Sequence, residues 1–106
     1  MQITISARHC EVTESLRERA LAVAGRLDKM SPHTLAATVL FETDARPGTY
    51  KVEIRLQARG RKVLIGLGEG PDHRTALDRA EEKLRPQLAK AARPRVRARR
   101  ASTRDT

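Results

Sequence analysis

The chain has 106 residues, enough for one domain, and 22 Lys and Arg against 13 Asp and Glu give it a net charge of +9. No apolar run approaches the ~20 residues needed to cross a bilayer. Met1 leads directly into an alternating pattern, so no secretory segment is expected, and the single Cys10 can form neither an internal disulfide nor a cysteine-rich metal site.

These features predict a cytoplasmic protein, a monomer when free, with a polyanionic partner. Phe41 and Tyr50 are the only aromatics among Phe, Trp and Tyr. That argues against a single-strand binder that stacks bases on aromatic platforms. Residues 2–7 alternate, with Ile3, Ile5 and Ala7 on one face of a half-buried strand. Residues 14–30 switch to helical spacing. Leu16, Ala20, Val23, Ala24, Leu27 and Met30 share an arc of about 120°, Thr13 is the N-cap, and Ser31 and Pro32 end the helix.

Period two returns over 35–43, with Ala37, Val39 and Phe41 inward, and Pro47 and Gly48 punctuate the loop over 44–49. Residues 50–58 alternate most cleanly, placing Val52, Ile54, Leu56 and Ala58 on one face and Lys51, Glu53, Arg55 and Gln57 on the other. Arg59-Gly60-Arg61 reads as a hairpin turn. The strand over 62–67 is expected to turn Val63, Ile65 and Leu67 inward, with Gly66, Gly68 and Gly70 loosening the chain after it. Asp72 caps a second helix to about Lys90, whose apolar face is Ala76, Leu77, Ala80, Leu84 and Leu88. Pro86 inside it removes the hydrogen bond to the Glu82 carbonyl and either kinks the helix or opens a fresh last turn.

The order β-α-β-β-β-α, with one apolar face per element, predicts an α+β fold. Two layers suffice: a four-stranded sheet with both helices on one face, its last three strands an antiparallel meander. The domain is expected over residues 1–91. Residues 92–106, with six Arg and one Asp, are expected to form a disordered arginine-rich tail, because one Val cannot offset the entropy of ordering them.

Little in the chain predicts bond-making chemistry. His9, His33 and His73 lie in separate loops or helix starts, and His9 and Cys10, as neighbours on a strand, point to opposite faces. No metal-ligand spacing appears, and neither a metal nor a cofactor is expected. The run from Gly66 to Gly70 precedes a helix, as phosphate cradles do. It lacks the Walker lysine and the parallel crossover of a Rossmann unit, so it reads as turn chemistry.

The bases are more informative. Arg19, Arg26 and Lys29 flank the apolar stripe of the first helix, and Arg79, Lys83 and Lys90 fall within about 40° on one flank of the second. Packed side by side, the helices are expected to merge these stripes into one phosphate-binding groove. The alternative is two solvated faces with ordinary ion pairing, Asp78 with its neighbours Arg79 and Lys83.

Two segments carry a family resemblance. The start, MQITISARHCEVTESLRERA, resembles the ribosome hibernation promoting factor and ribosome-associated inhibitor (protein Y) family. Residues 68–90, GEGPDHRTALDRAEEKLRPQLAK, are similar to its G-x-D-x-Y-x-A-I-D-x-x-x-x-K-L-x-x-Q-L-x-K pattern at Gly70, Asp72, Ala76, Leu77, Asp78, Lys83, Leu84, Gln87, Leu88 and Lys90. The resemblance implies a fold likened to a double-stranded RNA binding domain. It implies a non-enzymatic protein that binds the small ribosomal subunit in the messenger and transfer RNA channel and reversibly stops translation under stress or in stationary phase.

The ribosomal RNA contacts it implies are Arg26 and Lys29 on the first helix and Arg79, Lys83, Arg85 and Lys90 on the second; Arg19 joins them from the helical spacing. Arg74 stands at the family's tyrosine position, exchanging a stacking contact for a charge. With the sequence running to Thr106, the resemblance is to a short member, and the second domain by which long members pair two ribosomes is not expected. Two rival expectations stand beside this one: a general double-stranded RNA binding module, and a protein-interaction module using the open sheet face.

Overall fold

The computed structural model describes residues 1–30, 34–60 and 63–91. The elements follow the predicted order: β1 (Gln2–Arg8), α1 (Glu14–Met30), β2 (Thr34–Thr43), β3 (Tyr50–Ala58), β4 (Val63–Gly70) and α2 (His73–Ala91). The strands form one sheet in the order β1-β2-β3-β4. β1 and β2 run parallel and the other pairs antiparallel. Parallel neighbours need a long crossover, and α1 supplies it. Gly48, in the loop between β2 and β3, and Gly60, just after β3, take φ of 76° and 85°, values that favour glycine.

Both helices start on side-chain caps. Thr13 Oγ1 accepts from the Leu16 amide at 3.1 Å, and Asp72 Oδ1 from the Thr75 amide at 2.7 Å. The Thr75 hydrogen bonds hold the Asp72 carboxyl below its usual range. α2 continues through Pro86 to Ala91. Ser31, Pro32, His33 and Arg61 and the expected tail, 92–106, lie outside the described residues.

The core is one cluster between the sheet and the helix layer. Ala20, Val23, Ala24 and Leu27 of α1 and Ala76, Leu77, Ala80, Leu84 and Leu88 of α2 meet the buried faces of β2 and β3. Ile3 and Ile5 pack against its margin from β1. Each large side chain fully buried there contributes roughly 1.5–3 kcal/mol. Cys10 packs at the same margin, its thiol donating to the Phe41 carbonyl oxygen at 3.3 Å.

β4 corrects the sequence reading. Val63, Ile65 and Leu67 are 48%, 40% and 52% exposed, and the buried positions are Gly66 and Gly68. The three glycines are not a loose turn; all lie inside the strand. The reason is steric. A Cβ at Gly66 would stand 2.5 Å from the Ala80 carbonyl oxygen, and one at Gly68 would meet the Ala76 carbonyl oxygen and lie 2.5 Å from the Ala80 nitrogen. At these two positions α2 approaches so closely that only hydrogen fits beneath it; Leu64 packs at the core margin beyond them, and Val63, Ile65 and Leu67 take the opposite face.

Candidate nucleic-acid interface

α2 separates its charges onto two flanks. Toward α1 stand Asp78, Glu81 and Arg85. Arg19 of α1 grips Asp78 through Nε and Nη2, at 2.9 to 3.2 Å. Two turns further along α1, Arg26 takes both oxygens of Glu81, Nε to Oε2 at 2.9 Å and Nη2 to Oε1 at 3.0 Å. Arg85 Nη2 reaches the same Oε2 at 3.2 Å. The Glu81 side chain is only 8% exposed. The hydrogen bonds from Arg26 hold its carboxyl below the usual range, against a desolvation that pushes it up.

On the other flank α2 faces β4, an edge strand. Arg79 Nη1 donates to the Glu69 carbonyl oxygen at 2.6 Å, and Gln87 Nε2 to that of Ile65 at 2.9 Å. Two edge carbonyls are thereby occupied, which blunts the edge against further strand pairing. Leu67, Glu69, Arg79, Glu82 and Lys83 line an open depression of about 610 Å³ on this side.

The two basic stripes therefore do not merge into one groove. Arg19 and Arg26 point into the seam between the helices, where acids of α2 meet them, while Arg79 and Lys83 lie beyond it beside β4. Asp78, which the alternative of two solvated faces paired along its own helix, pairs across the seam. Arg85, on the opposite flank of α2 from Arg79, Lys83 and Lys90, comes beside Arg26. The structure thus joins one predicted base from each helix, but a different pair.

Lys29 on the outer side of α1, Arg74 in the first turn of α2, Lys83 and Lys90 are exposed and have no ion pair among the described residues. Arg74 is placed where the helix dipole disfavours a cation. The acids opposite Arg19 and Arg26 escaped the sequence reading. Their signal was present: acids at 78 and 81 on the flank of α2 opposite its lysines, and arginines seven apart on α1.

The open sheet face is mixed. Arg55 pairs with Glu53 at 3.3 Å, and Lys51 lies 3.8 Å from Asp44 and 4.0 Å from Glu69. Val63, Ile65 and Leu67 share this face. His73 sits against Phe41 and Tyr50 and donates from Nε2 to the Glu42 carbonyl oxygen at 2.9 Å. Among the described residues, no three His, Cys, Asp or Glu side chains converge as metal ligands, and no helix is long and apolar enough to cross a membrane.

No curated protein matches the chain. Solved structures do, and two of them illustrate the likeness. A ribosomal subunit interface protein from Coxiella burnetii superposes with a TM-score of 0.78 at 19% identity, over 86% of this chain and 97% of that one. The N-terminal domain of Thermus thermophilus Protein Y gives 0.73 at 25% identity, over 85% and 98%. Residues 3–95 match the family described as Sigma 54 modulation protein / S30EA ribosomal protein. Sequence match and shared fold agree with the two signatures, and the chain belongs to this family.

Proposed function

We propose that this protein associates with the ribosome in the cytoplasm. It binds the small subunit in the messenger and transfer RNA channel and inactivates translation by occupying that channel. One observation carries the reading: the helix layer holds exposed cations with no carboxylate partner among the described residues, at Lys29, Arg74, Lys83 and Lys90. Such a surface meets phosphates, which supply affinity and orientation without reading sequence. The action is steric and calls for no bond-making chemistry and no cofactor.

The test is cosedimentation of the full chain with purified small subunits. Arg79→Glu combined with Lys83→Glu is expected to lower association by orders of magnitude while circular dichroism stays unchanged. Four phosphate contacts predict a further roughly 50–150-fold loss between 50 and 200 mM salt. Undiminished association of the double variant overturns the reading. Equal competition by free duplex RNA favours a general RNA-binding module instead. The exposed Val63, Ile65 and Leu67 favour a second reading, docking of a protein on the open sheet face, which salt-insensitive binding would support.

A further inference from the structure

Arg26 and Arg85 reach one carboxylate from different helices. Glu81 is almost wholly covered, whereas both guanidiniums remain half-exposed. A guanidinium has five N–H donors. Arg26 uses two on Glu81 and Arg85 one, so most donors of both remain for another acceptor. The three groups together carry one net positive charge, and the neighbouring Arg19–Asp78 pair is neutral. Tying the helices together needs one arginine; a second on the same oxygen leaves a fixed, cationic pair of forks facing outward.

We propose that Glu81 is a positioning residue that holds Arg26 and Arg85 as a pre-ordered guanidinium pair across the helix seam, a site for the phosphodiester backbone of RNA. This rests on the ribosomal RNA reading above and deepens it. Ordering one free arginine on binding costs roughly two- to tenfold in affinity. Glu81 meets that cost in advance for two. Its carboxylate lies behind the guanidiniums, so the incoming phosphate meets their donors first.

Substitution separates positioning from charge, because the two predict opposite signs. Glu81→Gln raises the net charge by one, and bulk attraction alone then tightens binding to a polyanion. Loss of positioning instead weakens it about tenfold. Affinity for purified small subunits and for a short RNA duplex is measured with the full chain, well below the melting midpoint. Circular dichroism checks the fold.

Arg85→Gln serves as the second variant, since Arg26 still satisfies Glu81. It should lower the slope of log affinity against log salt by about 0.7–0.9, a readout that a merely structural role would not move. Should Glu81→Gln fail to fold, this slope decides the matter alone. A folded Glu81→Gln protein that binds as tightly as wild type or tighter, or an unchanged slope for Arg85→Gln, overturns the proposal while the ribosomal reading stands. A wild-type chain that binds neither RNA overturns both.

Discussion

α2 is held on its two sides by opposite means. Against β4 it rests on glycines, with backbone next to backbone and no side chain at Gly66 or Gly68 to intervene. Against α1 it is tied by long charged side chains, Arg19 to Asp78 and Arg26 to Glu81. The first contact is steric, short in range and indifferent to salt or acid. The second is electrostatic, partly wet, and responds to both. A helix docked rigidly on the sheet can carry a polar seam on its other side, and that seam can face a charged ligand without endangering the core.

The steric side gives the largest expected effect. Gly68→Ala drives a methyl into the Ala76 carbonyl, and neither strand nor helix backbone can yield cheaply. A loss of about 3 kcal/mol or more in chemical denaturation is expected. Gly25, inside α1, is the control: nothing lies within 4 Å of its added Cβ. Gly25→Ala should stabilise by about 0.5–1 kcal/mol, the ordinary helix preference. Equal effects at the two sites would mean that the close approach does not hold α2 in place.

The same glycines show where the sequence was legible and where it was not. In β3 the apolar set is Val52, Ile54, Leu56 and Ala58; alternation alone finds the three that are buried, and Ala58, at the strand's end, is half-buried. In β4 alternation selects Val63, Ile65 and Leu67, the wrong face. Periodicity weighs how apolar a side chain is, whereas packing also asks how much room it needs. The missed cue was the pairing of Gly66 and Gly68 with Ala76 and Ala80, two small-residue stripes that fit only each other. At the site, helical spacing put Arg79 and Lys83 on one flank of α2 and Arg85 on the other, as observed. It could not say which flank of α2 faces α1, because that depends on how the two helices lie on the sheet. Pairing across the seam is tertiary information, and Arg19 and Arg26 are engaged there for that reason.

The electrostatic side should show itself in acid. Glu81→Gln is expected to cost about 1–2 kcal/mol near neutrality, where wild type has a charged acceptor for two guanidiniums. The folded carboxyl titrates below the ordinary 4.5. Its contribution is therefore complete above that value and fades as pH falls through the lower, folded one. Melting curves of wild type and variant should converge only below about pH 4.5 and run parallel above it. A difference that persists undiminished at the acid end would assign the loss to packing rather than charge.

The smallest effect belongs to Arg19 and Asp78. Their geometry is good, with both carboxylate oxygens engaged, but both side chains are more than a third exposed. Water and salt therefore compete for each group. A double-mutant cycle with Arg19→Ala and Asp78→Ala should give a coupling of about 0.5–1 kcal/mol at low salt. At 1 M salt the screening length falls to about 3 Å, and the coupling should shrink by half or more. The Arg19–Asp78 pair is neutral, with no second cation on its carboxylate, so Arg19→Ala should also weaken RNA binding less than Lys83→Ala does. A coupling above about 2 kcal/mol that ignores salt would put the charged seam on a par with the glycine contact. The two sides of α2 would then differ in chemistry but not in strength.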